Sequence, residues 1–182
     1  MKTLLSYLLV LGLVAATAHA QTPTATDAAP RHHGTPSSLV HVTGAVKATR
    51  DFDLAAIKAL AGRDTGPVDV ICASGATVAK VNNFRGVRLT DLINHAGIDE
   101  QGHKDTRRMV IIARATDGYV VTFSWNELFN TAIGKDVLVA YEKDGKPLDA
   151  GEGQFLLVSG QDIKTGPRHV RWLNEIEIKR EQ

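Results

Sequence analysis

Apolar and polar residues alternate with a period of two over several short stretches of this chain. Val40 and Val42 share one side of a run from Leu39 to Val46, and Val68, Val70 and Cys72 alternate with Asp69 and Ile71 until Ser74-Gly75 breaks the pattern. That period belongs to half-buried strands, so Cys72 is expected at a strand end, facing the way the two valines face. Ala76 to Phe84 predicts a return strand. Arg108 to Ala115 and Tyr119 to Phe123 predict a hairpin closed by Asp117-Gly118, a pair that supplies the positive backbone dihedrals of a tight turn. Val137 to Tyr141, Phe155 to Ser159 and Val170 to Ile178 complete the strands.

The helical period appears only in short pieces. Asp53 can cap a helix with Leu54, Ile57 and Leu60 on one face and Gly62 ending it. Leu89, Leu92, Ile93 and Ala96 form the apolar face of a second, with Thr90 or Asp91 as cap and Gly97 at its C-terminus. Ser124-Trp125-Asn126-Glu127 fits a capping box for one more turn. Seven or eight strands and two or three short helices, without strand-helix alternation, predict an α+β class with a mixed, strand-dominated core.

The first twenty residues read differently. Lys2 is followed by an almost wholly apolar stretch from Leu4 to Val14, and Ala18-His19-Ala20 suits cleavage before Gln21, so residues 1–20 are expected to be an export signal. The apolar stretch is short for a membrane span and no second one follows, so no integral membrane segment is expected in the mature chain. The destination is then outside the cytoplasm, periplasmic if the source is a Gram-negative bacterium. Residues 21–38, rich in Thr, Ala and Pro, read as a disordered linker, leaving residues 39–182 as one domain large enough for a core without disulfides. Cys72 is the only cysteine. Removing Lys2 from the 21 basic residues leaves as many as the 20 acidic ones, which argues against a nucleic-acid partner.

Three segments carry candidate chemistry: Asp117-Gly118-Tyr119, Asp144-Gly145-Lys146-Pro147-Leu148, and Gly166-Pro167-Arg168-His169-Val170-Arg171-Trp172-Leu173. Taken in order they resemble the molybdopterin-binding domain of the sulfite-oxidase-like oxidoreductases. That family's Gly-x-Arg-x-Val-Lys-Trp-Leu segment is matched by Gly166, Arg168, Val170, Trp172 and Leu173, with Arg171 in place of the lysine. Gly86 to Ile93 is similar to the family's Gly-Val-x-Leu-x-Asp-Leu-Leu segment. The resemblance runs from about Leu39 to about Lys179 and implies a sulfite-oxidase-like fold.

It also implies roles. Cys72, upstream of Gly86, is in the region of the family's molybdenum-ligating cysteine; its other reading is a packed, inert thiol. Arg168, His169 and Arg171 correspond to the segment that contacts the pterin and its phosphate. Regular strand alternation would instead put Arg168 and Val170 on one side and His169 and Arg171 on the other. Asp117 and Tyr119 match residues near the family's active-site mouth, although a turn aspartate followed by a strand tyrosine is also ordinary hairpin chemistry. Arg31-His32-His33 faintly resembles an Arg-Asn-His segment ahead of the family's first strand.

Two functions of different class follow. One is an exported molybdopterin-dependent oxidoreductase, with molybdenum held by Cys72 and a redox partner protein. The other is a cofactor-free module on the same scaffold that binds a small-molecule ligand or a partner protein. The absence of an arginine pair in Met1-Lys2-Thr3 suits the second, because folded, cofactor-loaded proteins are usually exported on a twin-arginine signal. Both require the Cys72 sulfur and the basic 168–171 segment to be placed, and the first requires them to open on one cavity.

Overall fold

A computed structural model describes residues 34–181. The expected export signal, the linker up to residue 33 and the Arg31-His32-His33 segment lie outside the described residues, as does Gln182. In chain order the elements are β1 (Val40–Gly44), β2 (Arg50–Phe52), α1 (Leu54–Ala59), β3 (Arg63–Asp64), β4 (Val68–Ile71), β5 (Thr77–Val81), β6 (Phe84–Arg88) and α2 (Leu89–Ala96). There follow β7 (Met109–Ala115), β8 (Val120–Ser124), α3 (Trp125–Asn130), β9 (Val137–Lys143), β10 (Lys146–Pro147), β11 (Leu156–Ser159) and β12 (Leu173–Arg180).

Two sheets and a hairpin stack over two apolar clusters. The first sheet has the order β2-β1-β12-β7-β8, and the second β10-β9-β6-β3, with β11 also on β9. β1 and β12 run parallel while the other pairs are antiparallel, so the architecture is mixed and strand-dominated, as expected. Between the sheets lie Val42, Ile111, Phe123 and Ile176 from the first, Val87, Val139 and Leu157 from the second, and Leu89, Leu92 and Ile93 of α2. The second cluster, with Phe84, Ala140, Leu156 and Val158, is covered by Val68, Val70 and Val81 of the β4–β5 hairpin. The second sheet is therefore buried on both faces, which is why Val137 to Tyr141 is one continuous apolar run rather than an alternating one.

Local signals explain most element ends. Asp53 caps α1, its carboxylate accepting the Ala56 N–H at 2.7 Å, and the Ser124 hydroxyl accepts the Glu127 N–H to start α3. Gly97 ends α2 with φ 72°. The α2 N-cap is Arg88 rather than Thr90 or Asp91, and it makes no side-chain cap bond.

Two expected strands differ from what forms. Ala76 to Phe84 divides into β5 and β6, because the Asn82 and Asn83 N–H groups both turn to the Asp144 carboxylate at 2.9 Å. Gly86 thus lies inside β6, where a Cβ would sit 2.3 Å from the Val139 carbonyl oxygen. The run from Val170 starts as a strand only at Leu173, since Trp172 takes φ 50° and Gly166–Arg168 forms a 3-10 turn with Pro167 at its start. Contacts with the domain also begin before Leu39. The Thr35 N–H donates to Thr116 Oγ1 at 3.0 Å, that hydroxyl donates back to the Thr35 carbonyl, and Gly34 lies against the Trp172 indole.

Candidate functional site

The β4 alternation carries the thiol to the surface. Val68 and Val70 point into the second cluster, and Cys72, one step beyond the strand, follows them to its edge and is half-buried. The chain then reverses tightly: the Gly75 N–H donates to the Cys72 carbonyl and the Cys72 N–H to the Ala76 carbonyl, both at 2.9 Å, with Gly75 at φ 93°. This turn holds the Ser74 hydroxyl 2.7 Å from the Cys72 sulfur. The contact lowers the thiol pKa below its ordinary value, and backbone N–H groups of the same turn assist.

A second segment is laid directly against this turn. Buried Thr165 accepts the Ile71 N–H at 3.0 Å and donates to the Asp69 carbonyl at 2.6 Å, stitching its loop to β4. Gly166 permits the close approach, since a Cβ there would lie 2.7 Å from the Ile71 oxygen and 3.2 Å from the Cys72 Cα. The Lys164 ammonium donates to the Ala73 carbonyl. The 3-10 turn follows, Val170 bridges Leu157 through two backbone bonds of 2.9 Å, and the Trp172 indole N–H donates to the Ala150 carbonyl.

Between the two segments a cleft of about 400 Å³ opens, lined by Cys72, Val78, Tyr119, Gly166, His169 and Arg171 among others. Four of the six candidate residues thus meet. Tyr119 forms one wall, its hydroxyl donating to the Pro167 carbonyl at 2.7 Å. Arg171 is exposed at the rim. His169 packs edge-on against Phe84 with ring centroids 5.8 Å apart, and its buried Nδ1 has no partner. Burial, with Arg171 and then Lys143 adding positive charge nearby, pushes its pKa down to about 4, so the imidazole is neutral at physiological pH.

Arg168 and Asp117 are placed elsewhere. Arg168, expected to contact a cofactor, does not line the cleft: its guanidinium donates to both Asp162 carboxylate oxygens and, at 2.7 Å, to Glu127, and stacks 4.3 Å above the Phe123 ring. Burial works against its charge, but the two carboxylates more than offset this and raise its pKa. Asp117 closes the β7–β8 turn, accepting the Tyr119 N–H at 2.8 Å, and only Gly118 there takes a positive φ, 86°. Its carboxylate does not line the cleft.

The sequence reading missed Ser74, Thr165 and Val78. Ser74 was detectable, as a hydroxyl two residues from the only thiol. Thr165 and Val78 were not, because their partners are distant in sequence. Two larger hollows, about 550 Å³ at the 101–108 loop and about 510 Å³ beside Trp125 and Phe129, include none of the candidate residues.

The donor set is one sulfur: among the described residues no three His, Cys, Asp or Glu side chains converge. Such a site suits a metal that brings its remaining ligands with it, as a dithiolene-bearing pterin does. The volume falls within the usual range for small-ligand clefts, and Arg171, unpaired among the described residues, offers a guanidinium for a phosphate.

A family model described as the oxidoreductase molybdopterin binding domain matches residues 28–182. No curated protein matches the chain. Among solved structures, the crystal structure of the sulfane dehydrogenase SoxCD from Paracoccus pantotrophus is similar with a TM-score of 0.59 and 16% sequence identity. The match covers 79% of this chain and 38% of that one, so the present chain spans well under half of that protein's length. At that identity the likeness shows the fold, a sulfite-oxidase-like domain.

Proposed function

Since the chain belongs to the oxidoreductase molybdopterin binding domain family, we propose that the Cys72–Arg171 cleft is a molybdopterin site and that the protein is an exported redox enzyme. One observation carries the reading: the only thiol in the chain and the exposed Arg171 guanidinium open on the same cavity. When bound, the cofactor supplies two-electron or oxygen-atom transfer at its metal.

The protein's own groups have separable tasks in this reading. Cys72 offers molybdenum a soft anionic sulfur, and the Ser74 hydroxyl favours the thiolate. Arg171 holds the phosphate, with the forked geometry a guanidinium brings to phosphate oxygens. His169, kept neutral, presents a hydrogen-bonding group without adding charge. Tyr119 and Val78 form part of the apolar lining of the cleft. Residues 1–20 direct export, and residues 39–182 form the functional domain.

A second reading, a cofactor-free module that binds a small ligand in the same cleft, draws support from Arg168. With that guanidinium held by Asp162 and Glu127, the cleft has one arginine where the family segment led us to expect two. Metal analysis of protein purified from its native exported compartment separates them. Molybdenum near one atom per chain, lost in a folded Cys72→Ser variant, is the expected result. No molybdenum, together with unchanged stability of Cys72→Ser, overturns the cofactor reading in favour of the module.

A further inference from the structure

Among the described residues, the first sheet ends in a strand whose outer edge is bare. Within the described residues β8 pairs only with β7, and the Ala115 N–H donates to the Tyr119 carbonyl at 2.9 Å where the hairpin closes. Ladder bonds of an antiparallel pair alternate, so Val121 and Phe123 bond to β7 while Val120, Thr122 and Ser124 aim their backbone groups away from it. All three side chains are exposed, Val120 to 45%.

The other strand edges are guarded in ways β8 is not. At the far end of the same sheet β2 has three residues, two of them Arg50 and Asp51. In the second sheet β3 is Arg63–Asp64 and β10 is Lys146–Pro147, short, charged edges, one with a proline. The hairpin strand β5 carries Lys80, and β11 is bridged by Val170. Among the described residues, β8 is the one five-residue free edge with no charged side chain. Such an edge is a template for strand pairing unless something covers it.

We propose that β8 pairs with β8 of a second copy of this chain, joining two five-stranded sheets into one of ten across a two-fold axis at Thr122. The register is self-complementary. Thr122 faces Thr122 of the second copy, a favourable cross-strand pair, and Val120 faces Ser124, so no like charges meet. The pairing has four backbone bonds: Thr122 N–H to Thr122 carbonyl twice, and Ser124 N–H to Val120 carbonyl twice. The Ser124 carbonyl takes no part, because as the α3 N-cap it accepts the first bond of that helix. Residues 21–33 fit the edge less well as an occupant, since Pro23 and Pro30 interrupt them and prolines cannot donate to a ladder. The contact is small in area, which makes the dimer concentration-dependent. It stands independently of what the cleft binds.

Sedimentation equilibrium of the processed chain between about 1 and about 500 µM tests it, with weight-average mass expected to climb from one chain toward two. Thr122→Lys places two like charges directly opposite one another across the two-fold axis, and Thr122→Pro removes an outward N–H without touching a β7 bond. Each is expected to weaken association at least about tenfold with unchanged circular dichroism and Cys72 alkylation rate, so Thr122→Lys still decides the matter if the proline variant unfolds. A mass of one chain across the whole range overturns the proposal, as does unaltered dimerisation of folded Thr122→Lys.

Discussion

Replacing Arg168 with methionine tests whether that guanidinium belongs to the fold or to the cleft. The side chains of Arg168, Asp162 and Glu127 are 20%, 9% and 27% exposed, so the cluster lies between a buried and a surface ion pair. Removing one partner of a fully buried pair costs about 3–5 kcal/mol, because the other charge is left uncompensated, whereas exposed pairs are worth about 0–1 kcal/mol. Asp162, nearly sealed and bonded through both oxygens, is close to the first limit, and Glu127 is closer to the second. Methionine keeps contact with the Phe123 ring but loses the cation–π attraction. The expected loss is about 2–3 kcal/mol, a fall in Tm of about 5–10 °C for a domain of this size. Urea and thermal unfolding measure it, with Arg171→Met as the control; that exposed side chain should change stability by no more than about 0.5 kcal/mol. Binding of a phosphate-bearing ligand is expected to show the reverse order, weakened by Arg171→Met and retained by folded Arg168→Met. If Arg168→Met costs less than about 0.5 kcal/mol, or selectively removes anion affinity, the placement of Arg168 outside the cleft is refuted.

The Cys72 thiol should react with iodoacetamide with a pH midpoint below that of a free cysteine, and Ser74→Ala should move the midpoint back up; an unshifted midpoint in both proteins refutes the Ser74 contact. His169 gives a pH-dependent stability of known sign. Its pKa is about 4 when folded and near 6.5 when unfolded, so between these values the unfolded chain binds the extra proton and stability falls as pH falls, by up to about 3 kcal/mol. Urea unfolding from pH 7 to pH 4 should show a shallower decline for His169→Gln than for the wild type, and parallel curves would contradict the buried, neutral imidazole.

Much of the scaffold was legible because it depends on near neighbours. The β4 alternation, the α2 face, and the caps at Asp53 and Ser124 each involve residues within a turn or two, where side-chain periodicity and local hydrogen bonds decide the outcome. The placement of Cys72 at a strand end, following its valines, came from the same source. The strand division at Asn82–Asn83 did not, because the acceptor is Asp144, some sixty residues later.

What the sequence alone determined is thus a mixed α+β domain with one thiol, one basic segment and a family pattern joining them. Only the tertiary structure decided which arginine meets the thiol. Arg168 and Arg171 are three residues apart and chemically identical, but Arg168, at the end of the 3-10 turn, pairs with Asp162 and Glu127 while Arg171 lines the cleft. The carboxylates that hold Arg168 arrive from Asp162 and Glu127, and Thr165 and Gly166 bring Cys72 to Arg171 across some hundred residues of chain. Local pattern encodes which side of its own element a residue occupies, and long-range packing determines what waits for it there.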